Sequence, residues 1–594
     1  MLRGFRWQVL VLVMAVVLFG ISLSSRLSQN IPQPTLPAAT ATAEIVASAT
    51  PLPIPTEAPL VLTPNNSLSA ADIPTYREAL IGNVQRLNPL IASLNPVDRD
   101  ITSLIFEGLV KINAYGEPTP ALAASWVISS DGLDYVLQLR NDILWQDGIP
   151  FSAADVLYTV SILQSNDFPG DPALGAFWRT IEVQQLDTQL IRFRLTQPLG
   201  SFLDALQIGI LPEHALRGTT AARLASHPFN LTPIGTGPYQ LEALRSNNSS
   251  RTDIIDLRAA PVYRQRPEGQ TGYVIDRISF RLYGTFDEAL NGLKAGEVDG
   301  LASNDRVESA ALLDLSNLNI QTSVEPTLGA LIFNWASDNT KFFREQRIRQ
   351  ALQISLDRRG LIDRNLKNAV MKNEAILANS PMIPGSWAYI GDLAWPNTDV
   401  TAAVQLLDTS NSGKGETQPN AEGTPVPTGS RFSFSLLTPD EPQMVALAND
   451  IAEQWSQLNI NITVEVADAS SYQQRLDSGE FGAALVELSM AGSADPDVYQ
   501  FWDADQYPDG KNYGGVDDRR IAEDLERARG DFSGINRIIR YRNFQEDFIT
   551  RAIAIPLYYP LYTYATATKV NGVQLGFMGS PTSRFSTIQL WTLN

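Results

Sequence analysis

The sequence predicts an α/β fold divided into two or three lobes, and three observations carry that reading. A chain of 594 residues is longer than one hydrophobic core serves. Its 44% hydrophobic and 9% aromatic content is that of an ordinary folded protein. From about residue 75 onward, segments of helical and of strand periodicity alternate irregularly.

The chain begins MLRGFRW, and residues 7–23 (WQVLVLVMAVVLFGISL) carry no charge. Such a run is about the minimum length for a membrane-spanning helix, and Arg3 and Arg6 place its start in the cytoplasm. No small-residue processing site follows, so residues 1–26 read as an uncleaved anchor, with a cleaved signal peptide as the alternative. Residues 27–74 are rich in Pro, Ala and Thr with almost no charge, the composition of a disordered linker. Everything after it is expected to be extracytoplasmic, periplasmic or at the cell surface.

Along the folded part, YVLQLRNDILWQDG (135–148) and IRFRLTQPL (191–199) alternate as half-exposed strands do. FSAADVLYTVSIL (151–163) opens with Ser152 and Asp155 in a variant capping box. The turn PIGTGPYQL (233–241) resembles a phosphate loop at first sight. It lacks the third glycine of a dinucleotide fingerprint, since Gln240 stands there, and no Gly-Lys-Ser/Thr closes it. What remains is a rigid turn where two chain segments cross, with glycines allowing close approach. TFDEALNGLKAG repeats the capping device with Thr285 and Glu288 and stops at Gly296. RIRQALQISLDRRGLI sets Ile348, Leu352 and Leu356 on one face of a packed helix. Residues 409–430 (TSNSGKGETQPNAEGTPVPTGS) read as a flexible surface insertion, and charged amphipathic helices follow near 517–529 and 535–550.

Composition excludes several classes. A net charge of −19 opposes binding to nucleic acid. Without a single cysteine there are no disulfides, thiol nucleophiles or thiolate metal sites. Two histidines, His214 and His227, leave little for a zinc centre or a histidine-based triad. Neither a cofactor nor a bound metal is expected, and no pair of carboxylates stands out as a hydrolase site.

Six blocks in order resemble the extracellular solute-binding proteins, family 5, of ABC importers, the peptide, dipeptide and nickel-binding group. They are LIFEGLVKIN (104–113), PALAASWVISSDGLDYVLQLRNDILWQDGIPFSAADV (120–156), PIGTGPYQL, ALNGLKAGEVDGL (289–301), REQRIRQALQISLDRRGLI (344–362) and NYGGVDDRRIAEDLERA (512–528). The resemblance spans 75–594 and implies a two-lobed periplasmic-binding-protein clamp with an extra α/β domain. Domain I would comprise 75–108, 232–318 and 558–594, domain II 109–231, and domain III 319–557. It further implies a monomer without enzymatic activity, whose partners are a peptide or similar small solute and the membrane subunits of an ABC permease.

Peptide binders of this family hold the ligand's α-ammonium with an aspartate three residues before an acidic-proline pair. In LSMAGSADPDVYQFW (488–502) that position is Gly492, which leaves Asp495 as the substitute carboxylate and Trp502 nearby. The stretch TLGALIFNWAS (327–337) resembles the strand lining the cleft, so Asn334 and Trp335 become candidates. The loop before LIFEGL points to Asn95 and Asp98. With the ammonium anchor gone, an oligosaccharide or other neutral polar solute, stacked on Trp335, Trp387, Trp395 or Trp502, is the competing ligand class. A sensory ectodomain is a third reading.

Overall fold

The computed structural model describes residues 73–246, 252–266, 273–366, 370–371, 374–375, 377–413, 417–419, 425–427 and 429–594. The expected anchor and all of the linker before residue 73 lie outside the described residues. Among the described residues no helix is long and apolar enough to cross a membrane.

Three sheets organise the chain. The first has seven strands in the order Leu318–Val324, Leu561–Ala567, Gly300–Ser303, Thr75–Ile81, Arg277–Tyr283, Ile254–Ala259 and Tyr239–Arg245. At its centre Thr75–Ile81 runs parallel to Arg277–Tyr283 over all seven residues. The second has five strands, Asn461–Ala467, Ser433–Pro439, Ala483–Ser489, Thr327–Phe333 and Ile555–Tyr558. Thr327–Phe333 (TLGALIF) is buried along its whole length, as a strand covered on both faces must be. A four-stranded antiparallel sheet, Ala123–Ile128, Asp134–Leu139, Leu190–Arg194 and Glu182–Asp187, lies inside 109–231.

The chain passes between the first and second sheets twice, at residues 325–326 and again at 559–560. This corrects two expected boundaries. Leu318–Val324 pairs antiparallel with Leu561–Ala567, so the strand expected to open domain III belongs to the first sheet. Tyr558 still pairs with Gly329 in the second sheet. Periodicity marks a strand but not the neighbour it will find.

The capping signals form as expected. Ser152 and Asp155 close a capping box on Ala153–Gln164, and Thr285 and Glu288 do so on Phe286–Lys294, with Gly296 at φ +71° beyond it. Ile348 and Leu352 are buried on the helix Gln346–Ile354, but that helix stops before Leu356, which is buried in the link to the next helix, Arg358–Asn365, so the expected single helix is two. The turn at 233–241 packs on the end of the helix Pro96–Ile105, where Gly237 N donates to the Ile105 carbonyl at 2.8 Å. A Cβ at Gly235 would collide with that same oxygen, which is why glycine stands there.

The insertion expected at 409–430 is anchored at its start. Ser410 and Gly413 are buried, Asn411 N donates to the Glu345 carboxylate at 2.8 Å, and Arg431 Nη1 donates to Gly413 O at 2.7 Å. Thr417–Pro419 then pairs antiparallel with Pro425–Pro427. Residues 414–416, 420–424 and 428 of the expected insertion lie outside the described residues.

The first lobe holds a buried charge cluster. Arg584, near the C-terminus, donates to Glu78 at 2.9 Å and to Asp100 at 2.7 Å. The Tyr76 and Tyr564 hydroxyls also donate to Glu78. Arg584 thereby fastens the last segment of the chain to the central strand and to the helix Pro96–Ile105.

Candidate ligand-binding cleft

The carboxyl ends of the parallel strands in the first and second sheets face one another, the place where open α/β sheets bind ligands. Between them lies a cleft of about 690 Å³. Its walls are Asn304–Val307 from the first lobe and Glu441–Gln443, Glu487 and Ser489 from the second. Its floor is the crossing itself, Glu325, Thr327 and Pro560. A second hollow of about 360 Å³, lined by Pro96, Arg99, Asp100 and Arg584 among others, joins it at Asn304.

The cleft is acidic. Asp305, Glu325, Glu441 and Glu487 line it against the single cation Arg306. Arg306 reaches across from the helix Arg306–Leu313 to both Glu441 and Glu487, and its Nη1 lies 3.2 Å from the Tyr558 hydroxyl. That hydroxyl donates to Glu487 at 2.6 Å. Glu325 accepts from Asn304 Nδ2 at 2.8 Å. Burial pushes the Glu325 carboxyl up to about 7, and the charge of Glu487 adds to the effect. A cation brought beside Glu325 would offset that burial and favour its ionised form.

The residues singled out from sequence take other roles. Asn95 caps the helix Pro96–Ile105, accepting from Val97 N, and donates to Asn83 O and Asp98. Asp98 is buried and accepts from Gln85 N and Arg86 N, so this pair braces the 83–86 loop while its neighbours Pro96, Arg99 and Asp100 line the hollow. Asn334 is saturated: its amide donates to Gly479 O and Phe481 O, and its Oδ1 accepts from Ala336 N and Ser337 N. Trp335 is a core residue, 6% exposed, with the Arg349 guanidinium 3.7 Å from its ring centroid. Trp502 is also interior and packs edge-on against Phe548 at 4.7 Å. Neither indole offers a face to a ligand.

Asp495 is not a free carboxylate. Arg537 holds it bidentately at 2.7 Å on both arms, with both side chains almost wholly buried. Nor does it cap a helix: the short helix Tyr499–Trp502 is preceded by Asp497, whose Oδ1 accepts from Tyr499 N. The Asp495–Arg537 pair borders a separate hollow of about 360 Å³ between residues 200–204 and the second lobe, together with Trp387. There Asp204 accepts from Ser493 Oγ at 2.7 Å and from Ala494 N at 3.1 Å. Burial raises its carboxyl to about 6.

Sequence reading missed Arg306, Glu325, Glu441 and Glu487. They lie far apart along the chain, and no local motif marks them.

Residues 117–510 match the family model described as bacterial extracellular solute-binding proteins, family 5 Middle. The oligopeptide-binding protein AppA of Bacillus subtilis (strain 168) is 24% identical over 443 residues, 73% of this chain and 76% of that one. Among solved structures, NikZ from Campylobacter jejuni in complex with Ni(L-His) superposes with a TM-score of 0.60 at 24% identity, over 87% of this chain and 99% of that one. HbpA2 from Haemophilus parasuis gives 0.71 at 18% identity, over 88% and 100%. At these identities the superpositions establish the fold, an α/β periplasmic-binding-protein clamp.

Proposed function

The chain belongs to family 5 of the bacterial extracellular solute-binding proteins, non-enzymatic receptors of ABC importers, and we propose from that premise that it captures a peptide or similar amine-bearing solute between its lobes and delivers it to an ABC permease. Domain II (109–231) then rides with the first lobe, and the crossings at 325–326 and 559–560 act as the hinge. Tethering to the membrane through residues 7–23 belongs to the same proposal.

One observation carries the ligand class: four carboxylates and one arginine line the cleft where the strand ends meet. A cation closed into such a site is desolvated and needs a carboxylate partner. With Gly492 at the usual anchor position, Asp495 spent on Arg537 and Glu487 held by Arg306, Glu325 is the carboxylate placed to meet it. The relative named above is an oligopeptide-binding protein, which supports the reading.

A neutral oligosaccharide is the second reading, favoured by the missing anchor. Its aromatic platforms are reduced, because Trp335 and Trp502 are interior and Trp395 stacks on the Arg358 guanidinium, 3.3 Å from its centroid. Mass spectrometry of ligand carried through native purification tests the proposal. An amine-bearing solute is expected; a neutral sugar would overturn it.

A further inference from the structure

The hollow beside the Asp495–Arg537 pair, about 360 Å³, is walled by both lobes. Domain II supplies Ile112, Pro118 and Leu203, and the second lobe supplies Trp387, Phe532 and Ile538. Phe532 and Ile538 are 39% and 43% exposed and Trp387 is half-buried, so apolar surface is left uncovered there. At its edges the lobes touch closely. Gly200 N donates to Arg529 O at 2.8 Å, and a Cβ at Gly200 would strike the Asp531 carbonyl. A Cβ at Gly132 would come within 2.8 Å of the Phe532 ring. The charge of the hollow is one-sided. Its cation, Arg537, is committed to Asp495, to the Ala528 and Gly200 carbonyls and to the Tyr541 hydroxyl. Asp204 accepts from neutral donors, Ser493 Oγ at 2.7 Å, Ala494 N at 3.1 Å and Gln207 Nε2, and the Asp495 carboxylate repels it. Among the described residues no ion pair reaches Asp204 or Glu117, the remaining acid of the lining.

We infer that this hollow is a second binding site, separate from the main cleft, for a small amphipathic amine: an aromatic or branched aliphatic body carrying one ammonium. The volume lies near the lower limit of ligand pockets, roughly 300 Å³, and suits a single ring or branched chain rather than a peptide. The apolar walls gain by covering such a body, and the Trp387 indole adds aromatic contact. Charge decides the rest. An ammonium finds Asp204, whose present partners are neutral, and its charge-assisted hydrogen bond is stronger than a neutral one. An anion would meet two acids and an arginine already neutralised, so it is refused. A neutral body keeps the apolar contacts but forgoes the charged partner. Because the walls belong to both lobes, a bound amine also favours the arrangement in which they meet.

The experiment titrates full-length protein with 2-phenylethylamine by calorimetry, with 2-phenylethanol as the neutral comparison. The expected result is saturable amine binding with a dissociation constant on the order of 10⁻⁴ M, in keeping with so small a ligand. The alcohol should bind about tenfold or more weakly. Asp204→Asn should weaken the amine by about the same factor and leave the alcohol unchanged. Leu203→Trp, which fills the hollow, should abolish binding of both. Should that variant fold poorly, Ile538→Trp at the exposed rim carries the same test. Glu325→Gln, in the acidic cleft, should change neither and so separates the two sites. Absence of saturable binding, equal affinity for amine and alcohol, or binding lost in Glu325→Gln yet kept in the hollow-filling variants would each overturn the proposal.

Discussion

Arg584 and Arg306 are each held by two carboxylates, yet the two clusters differ in surroundings and in what they join. Arg584, Glu78 and Asp100 all belong to the first lobe, and none has appreciable contact with water. Arg306 starts on the first lobe and its partners, Glu441 and Glu487, lie on the second. Those partners keep 54% and 34% of their side-chain surface. The same chemistry thus serves two ends. Where water is excluded, breaking the cluster strands a charge, so the contact is permanent. Where water reaches the carboxylates, the contact can open at little cost, which a receptor that must admit and release a ligand requires.

The largest expected effect breaks the buried cluster. Arg584→Met leaves Glu78 and Asp100 without their cation and should destabilise the protein by about 3–5 kcal/mol. Denaturant unfolding checks it, and a loss under 1 kcal/mol would mean that water reaches Glu78. Next comes the pair Asp495–Arg537. Asp495→Asn should cost about 1.5–3 kcal/mol, because Arg537 loses charge-assisted hydrogen bonds in a buried site. Ligand affinity at the main cleft should change little, a contrast that titration of the same variant resolves. Arg306→Gln should be the mildest of the three in stability, about 1 kcal/mol or less. Its effect should appear as a change in lobe separation, read by small-angle scattering or by spin labels on the two lobes. An unchanged separation would make Arg306 an ordinary surface pair.

What the sequence revealed, and what it concealed, divides along the same line of local against long-range. The capping boxes at Ser152 and Thr285 and the tight turn at Gly235 depend on residues a few places apart, and they were readable. So was the α/β clamp, through motif order. The end of the first sheet was misplaced because Leu318–Val324 and Thr327–Phe333 are successive strands separated by two residues, and only pairing assigns them to different sheets. Trp335 and Trp502 looked like ligand platforms because an indole in a cleft-lining stretch reads the same whichever way it points. Asp495 was found as a residue of consequence, but its partner Arg537 lies 42 positions on and carries no signal. The acids of the cleft were invisible for the same reason.

The smallest expected effect sharpens the comparison by pH. Glu325 has a raised pKa of about 7 in the structure, and a bound cation would favour its ionised form and draw that value down. Cation binding therefore releases a proton near and below pH 7. Affinity should be full above about pH 7 and should fall as pH drops through it, by at most tenfold per unit for one proton. Glu325→Gln should flatten this profile. A profile that weakens instead toward alkaline pH would contradict the assignment.

The central claim, that the acidic cleft receives a cationic group, is tested most directly by calorimetric titration of one peptide in two forms. The free-amine form of a peptide found in the native purification is compared with its N-acetylated form, at pH 7.5 and low salt. The account predicts that acetylation weakens binding by about a hundredfold or more, since a desolvated charge pair broken on one side costs roughly 3–5 kcal/mol. Equal affinity for the two forms would contradict it.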